Sequence, residues 1–175
     1  MFYPHESVSV FIDAYALNRI TQRLGIRMDF KKLRAAFAKR SKLSSIQFYA
    51  VYDSESEDNP FTKLIDWLEY NGYRVFRKNA RVFNELDGTK SIKGTINTEL
   101  SVDMVTMAKQ VDHIVLIGSH VDYVHPVSVV KRQGTRVTVC STLMADQFRT
   151  SDDLRREADN FLELLDWREE FQLDS

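Results

Sequence analysis

The chain has 175 residues, of which 43% are hydrophobic and 28% charged, with a formal net charge of −1. This composition is ordinary for a globular protein large enough to bury a core, and it indicates a single domain over residues 1–175. The near-zero charge excludes a global positive field that attracts nucleic acid, although local basic patches remain compatible with it.

Membrane and secreted classes are also disfavoured by the sequence. Its apolar runs fall far short of the roughly 20 residues that span a bilayer, and its first residues lack a signal-peptide pattern. The single cysteine, Cys140, offers neither a disulfide framework nor a cysteine-based zinc site. We therefore expect a soluble protein of the reducing cytoplasm.

The first predicted strand is the apolar run from Val8 to Ile12, which ends at a carboxylate, Asp13. Such a run is typical of a strand that helices cover on both faces. An acid at the carboxyl end of that strand lies where open α/β sheets bind ligands. It can equally cap the helix that follows. These residues alone leave both roles of Asp13 open.

The rest of the chain alternates between helices and strands. Helices are predicted at 14–24, 30–40, 60–71, 97–111, 124–133 and 152–168, and strands at 46–52, 74–76, 113–117 and 136–140. Capping residues support several of these ends: Gly25 and Gly134 follow helices, and Asp29 precedes one. This alternation predicts βαβ units and a parallel sheet of five strands.

The segment from about residue 78 to 93 differs in character. An Asp87-Gly88 pair separates two short β-like runs, which is typical of a type I′ hairpin. The segment also carries four basic residues: Lys78, Arg81, Lys90 and Lys93. It is therefore predicted to form a basic β-hairpin arm, which either contacts a partner or is simply solvated.

Acidic residues recur at what should be one edge of the sheet. Asp122 follows the fourth strand as Asp13 follows the first, and Glu99 and Asp103 lie four residues apart on one predicted helix. Like charges at that spacing repel only weakly, so a solvated helix face tolerates such a pair. The convergence of three segments nevertheless predicts a shared site for a divalent cation.

Three motifs resemble those of NYN domains, the LabA-like branch of the PIN-like nucleases. Residues 11–17 (Phe-Ile-Asp-Ala-Tyr-Ala-Leu) resemble that family's Phe-Ile-Asp-Gly-x-Asn-Leu. Residues 93–103 resemble its Lys-Gly-x-x-Asp-x-x-Leu-x-x-Asp segment, and residues 117–123 resemble its Ser-Gly-Asp-x-Asp-Phe loop. Residues 134–137 and 154–161 look like its closing elements, so the resemblance covers nearly the whole chain.

The resemblance implies a PIN-like, Rossmann-like α/β fold with a doubly wound, mainly parallel sheet. It also implies cleavage of RNA with Mg²⁺ or Mn²⁺, which the family's acids hold. Asp13, Asp103 and Asp122 match family acids and are the expected catalytic and metal-binding residues, and Glu99 stands where acids are frequent. RNA is the expected partner, contacted by the basic arm; the oligomeric state stays open, with a homodimer as one option.

Three positions depart from the family pattern. Ala16 replaces an Asn, and Asn97 and His120 each replace an Asp. Asn97 can serve as a plain helix cap, and His120 is either a replacement ligand for Mn²⁺, Zn²⁺ or Fe²⁺ or a simple polar substitute. Two main hypotheses follow: a ribonuclease weakened by these changes, or an inactive pseudo-nuclease that binds RNA or a protein. A structural protein that no longer binds RNA is the third.

Overall fold

The computed structural model describes residues 2–52, 60–84, 90–145 and 147–174. The strands are β1 Ser7–Asp13, β2 Lys42–Tyr52, β3 Arg74–Asn79, β4 Arg81–Asn84, β5 Lys90–Lys93, β6 His113–Ile117, β7 Arg136–Ser141 and β8 Asn160–Glu163. The α-helices are α1 Ala14–Leu24, α2 Phe30–Arg40, α3 Pro60–Tyr70, α4 Asn97–Met107, α5 Val124–Arg132, α6 Asp152–Glu157 and α7 Arg168–Phe171. Short 3₁₀ helices lie at Ala108–Gln110, Val121–Tyr123 and Leu164–Trp167.

Six strands form one parallel sheet in the order β3-β2-β1-β6-β7-β8. The chain builds outward from β1 to β3 and then returns to the other side of β1 with β6. The strand order therefore reverses between β1 and β6, as in doubly wound folds that bind ligands at this point. The predicted fold class is confirmed, with six strands in the sheet rather than five.

The sixth strand corrects the predicted helix over 152–168. Helix α6, capped by the Ser151 side chain, ends at Glu157, and the backbone then extends into β8, which pairs with β7. The prediction of a longer helix was wrong because Leu154, Ala158 and Phe161 are spaced as on one face of a helix. In the fold, Phe161 and Leu162 pack on opposite faces of the sheet, as successive strand residues do. Pairing at the open edge of β7 thus outweighs the local helical pattern.

Helices cover both faces of the sheet. Val10 and Ile12 of β1 face a core formed with α1, α2 and α3, whereas Phe11 faces a second core formed with α4 and α5. This double coverage explains why β1 is apolar at nearly every position. The predicted ends of α1 are also confirmed, because Asp13 caps its start and Gly25 ends it with a φ of 64°.

The strands β4 and β5 pair antiparallel and are separate from the main sheet, as a hairpin arm requires. The Asp87-Gly88 turn lies outside the described residues, and so do the side chains of Arg81, Lys90 and Lys93. The expected start of the arm near residue 78 is corrected, since Lys78 and Asn79 still pair with β2 in the main sheet. The arm begins at Arg81.

The amino-terminal edge of the sheet is closed by residues from the two chain ends. The Phe2 ring stacks on His113, with centroids 5.3 Å apart, and meets Trp167 edge-on at 5.8 Å. Phe171 is fully buried, and its carbonyl accepts a 2.7 Å hydrogen bond from the Asp29 amide. These contacts make both terminal segments part of the core.

The helices are short compared with a bilayer. Among the described residues, the longest helices, such as α1 and α2, have 11 residues, against about 20 needed to span the hydrocarbon region. Within the described ranges, no helix is long and apolar enough to cross a membrane.

Candidate active site

Asp13 lies at the carboxyl end of the central strand, beside the point where the strand order reverses. Its side chain is only 5% exposed, and one carboxylate oxygen, Oδ1, accepts the Ala16 amide at 3.1 Å. Asp13 therefore caps α1, and it also lies at the edge of the sheet where doubly wound folds bind ligands. The cap is confirmed, and the role in a ligand site stays a prediction.

Tyr123 connects Asp13 to the other side of the site. Its fully buried hydroxyl lies 2.8 Å from Asp13 Oδ2 and 3.1 Å from Asn97 Oδ1. The Asn97 amide nitrogen in turn lies 3.4 Å from Asp122 Oδ2. A chain of polar contacts thus joins residues from β1, from the start of α4 and from the segment after β6.

Burial is the main influence on the pKa values of Asp13 and Tyr123 in this chain of polar contacts. It raises the pKa of Asp13 above its usual range, while the Ala16 amide and the Tyr123 hydroxyl, which bind the charged form, oppose the rise. Burial and the neighbouring Asp13 charge also raise the pKa of Tyr123, so its hydroxyl keeps its proton and acts as a donor. The Asp13 carboxylate is consequently poorly solvated, a condition that a bound cation would relieve.

Asp122 and His120 form the exposed end of the contact chain, with side chains 59% and 55% exposed. His120 Nδ1 lies 3.1 Å from Asp122 Oδ2 and 3.3 Å from the Asp122 backbone nitrogen. His120 Nδ1 can make only one of these contacts at a time: without a hydrogen it accepts the Asp122 amide and caps the 3₁₀ helix Val121–Tyr123, and with a hydrogen it donates to the Asp122 carboxylate. The imidazole lies beside the expected acid and within the site.

The two remaining acids point to other partners. Asp103 Oδ2 accepts a 2.8 Å hydrogen bond from Tyr49, whose hydroxyl also lies 2.7 Å from Gln47 Oε1. Glu99 pairs with Lys78 at 2.5 Å, and this contact lowers the pKa of Glu99. In the described part of the chain, no group of three or more His, Cys, Asp or Glu side chains is arranged to hold a metal ion.

A cleft of about 420 Å³ opens above Asp13. Four of the residues singled out in the sequence line it: Asp13, Ala16, Asn97 and His120. Ala16 is only 4% exposed and leaves room where the family pattern has a longer Asn side chain. Asp122 adjoins the cleft through Asn97, whereas Asp103 reaches it only through Tyr49, which is one of its walls.

Several residues of the site escaped the sequence analysis. Tyr123 stands at the last position of the loop motif, where the family has Phe, and its extra hydroxyl was the available signal. The cleft is also lined by Tyr15, Phe148 and Arg149. Phe148 and Arg149 follow β7 and belong to no motif, so only the fold brings them to Asp13.

A doubly wound parallel sheet with a buried acid at its switch point defines a Rossmann-like protein whose site lies at the carboxyl edge. The family model of the NYN domain matches residues 7–165, and the chain belongs to this family. NYN domains are part of the PIN-like superfamily, a nuclease class.

A solved structure of similar length shares the fold. A protein of unknown function from Vibrio parahaemolyticus is 20% identical, with 96% of each chain covered and a TM-score of 0.73. Homoserine dehydrogenase from S. aureus aligns with 93% of this chain but only 33% of its own, at 6% identity and a TM-score of 0.35, which carries no inference. No curated protein matches the chain significantly in sequence.

Proposed function

We propose that this NYN domain cleaves RNA phosphodiesters with a divalent cation, Mg²⁺ or Mn²⁺. One observation carries the proposal: at the switch point the Tyr123 hydroxyl joins Asp13 to Asn97, and Asn97 contacts Asp122, beside a cleft of about 420 Å³. Doubly wound folds use this position for their chemistry. Every residue of the proposal lies in one chain, so it applies to a monomer or a homodimer alike.

The donors present fit a hard cation, although they are fewer than the family pattern provides. Asp13 and Asp122 offer carboxylate oxygens, and Asn97 offers an amide oxygen between them, all of which Mg²⁺ and Mn²⁺ accept. Asp103 is the third acid expected from the sequence, and in this arrangement it would first have to leave Tyr49. Because carboxylate count largely sets affinity for hard cations, we expect weak metal binding.

In this proposal the residues of the site have separate roles. A bound cation would activate water and stabilise charge on the phosphate. Asp13 would hold it from the floor of the cleft, with the Tyr123 hydroxyl and the Ala16 amide fixing the orientation of its carboxylate. Arg149 lines the same cleft and supplies positive charge for the RNA phosphate.

The basic residues Lys78, Arg81, Lys90 and Lys93 would add contacts to RNA phosphates further along the strand. Such contacts weaken steeply with salt, so RNA affinity should fall as salt rises. A cytoplasmic location goes with this proposal, supported by the one free cysteine, Cys140, which is buried.

The test is cleavage of single-stranded RNA by purified protein with Mn²⁺ or Mg²⁺. Asp13→Asn and Asp122→Asn should each abolish cleavage, while Asp66→Asn, at an exposed acid on α3, should leave it unchanged. An asparagine side chain in place of Asp13 can still cap α1, so the loss would report chemistry rather than unfolding. Cleavage that persists in the Asp13→Asn variant would sink the proposal.

A second candidate function is an RNA-binding module that no longer cleaves. The arrangement of the acids favours it, since Asn97 and His120 occupy two family acid positions and Asp103 is bound to Tyr49. The test combines Ala16→Asn, Asn97→Asp and His120→Asp in one variant. Activity that appears only in this variant supports the binding module, whereas a parent that is equally active argues against it.

A further inference from the structure

An exposed aromatic side chain stands at the mouth of the cleft. Tyr15 lies two residues after Asp13 in the first turn of α1 and is 63% exposed, while its neighbours Ala14 and Ala16 are buried. Isolated exposed aromatic residues are common on protein surfaces and mean little. Tyr15 differs because it lines the same cleft as Asp13.

Tyr15 belongs to a small cluster of aromatic and cationic groups. The Phe148 ring meets it edge-on, with centroids 6.5 Å apart and an interplanar angle of 77°. The Arg19 guanidinium lies 5.5 Å from the Tyr15 centroid and 5.2 Å from that of Phe148. Each contact is of the kind that holds an aromatic ring in a fixed orientation.

The segment that carries Phe148 is anchored to the end of β7. The Thr150 amide and hydroxyl donate to the Thr142 carbonyl at 2.9 and 3.2 Å, and both threonines are fully or almost fully buried. The Leu143 amide donates to Glu163 Oε2 at 2.8 Å, which ties the segment to β8. The fold therefore places the Phe148 ring against Tyr15.

Positive charge accompanies the two rings. Arg149, next to Phe148, lines the cleft with a side chain 52% exposed, and it contacts Asp152 at 2.9 Å. An aromatic face beside a guanidinium is the combination that binds single-stranded nucleic acid, because the base stacks while the phosphate is neutralised. A carboxylate, a partly exposed arginine and two aromatic rings thus share one cleft.

We propose that Tyr15 and Phe148 form a stacking subsite for an unpaired RNA base next to the phosphate that lies at Asp13. The inference rests on the proposed function for the position of that phosphate. It narrows the substrate to single-stranded RNA, since the bases of a duplex are stacked on one another and offer no free face.

The test uses a six-nucleotide RNA carrying one central 2-aminopurine, a base whose fluorescence is quenched on stacking. Binding is measured in Ca²⁺, a hard cation that carboxylate oxygens also accept, and the probe is checked for cleavage after each titration. The wild type and Tyr15→Phe should quench the probe, whereas Tyr15→Ala should lose the quenching and bind about 5- to 100-fold more weakly. Tyr70→Ala is the matched control, because Tyr70 is 91% exposed but lies outside the cleft.

A second variant, Phe148→Leu, should reduce quenching independently of Tyr15. Wild-type affinity and quenching in Tyr15→Ala would overturn the inference, and so would a failure of the wild type to bind the hexamer or a preference for an RNA duplex. Cleavage is then measured separately in Mn²⁺. Quenching without cleavage would refute the proposed function but still support the stacking subsite. Cleavage that is insensitive to Tyr15→Ala would support the proposed function and refute the stacking subsite.

Discussion

Removal of the Tyr123 hydroxyl tests the central contact of the site. Tyr123→Phe keeps the fully buried ring but deletes the donor that lies 2.8 Å from Asp13 Oδ2. A hydrogen bond to a charged acceptor contributes about 1.5–3 kcal/mol, and a neutral pair about 0.5–1.5 kcal/mol. Both groups are buried, so solvent screens the contact little. We expect a loss of about 1.5–3 kcal/mol in the free energy of unfolding at neutral pH.

The loss should depend on pH, because burial raises the folded-state pKa of Asp13 above its unfolded value. The stabilisation that results is fully present below the unfolded pKa, near 3.8, and is lost as the pH rises through the folded pKa. Deleting the hydroxyl raises the folded pKa further. The loss of free energy of unfolding caused by Tyr123→Phe is therefore largest at a pH where Asp13 is charged. It should fall to about 0.5–1.5 kcal/mol at a pH where Asp13 is protonated.

Urea unfolding followed by circular dichroism at pH 7.5 and pH 4 measures both values. Tyr73→Phe is the control, since the Tyr73 hydroxyl is also buried but donates to a neutral acceptor, the Phe30 carbonyl, at 2.6 Å. Its cost should be about 0.5–1.5 kcal/mol at either pH. Equal losses at the two pH values for Tyr123→Phe would refute the assignment of a buried, charged Asp13.

Three further predictions concern other parts of the molecule. Burial and Arg136 lower the pKa of His113 to about 4. Neutral His113 therefore contributes stability that is present above its unfolded pKa and is lost as the pH falls through about 4. Urea unfolding should show that the free energy of unfolding falls by about 2 kcal/mol between pH 7 and 5, and the His113→Gln variant should not show this fall. Gly118→Ala places a Cβ 3.2 Å from the Tyr123 ring and should cost about 1–3 kcal/mol in the same assay, and an unchanged stability would show that the ring can move. Glu99→Gln frees Lys78 from a half-exposed ion pair and should strengthen RNA binding about two- to fivefold at low salt, while an accompanying loss of cleavage would instead assign Glu99 to the chemistry.

Local signals in the sequence were sufficient for the early elements of the fold. The apolar run before Asp13, the Asp29 cap and Gly25 gave α1 and α2 with the observed bounds, because these ends depend on nearby backbone groups. The segment at 152–168 behaved differently. There β8 is held by pairing with β7, an interaction with distant residues that no local pattern encodes.

Some residues of the candidate site could likewise be identified from the sequence, and others could not. Motifs identified Asp13, Asn97, His120 and Asp122, which the fold brings to one edge of the sheet. The sequence could not show that Asp103 faces Tyr49, since that contact depends on how α4 lies over β2. Nor could it assign Phe148 to the cleft, because the segment after β7 has no spacing or composition that marks it.

The packing of the chain ends separates the family's boundaries from those of the folding unit. The family model covers residues 7–165, yet Phe2 lies before that range, and Trp167 and Phe171 lie after it. These three rings pack with Phe37 and His113 across the amino-terminal edge of the sheet. A protein trimmed to the matched range would lose one wall of its core while keeping every residue of the candidate site. Inactivity of such a truncated chain would therefore report on folding and leave its chemistry unmeasured.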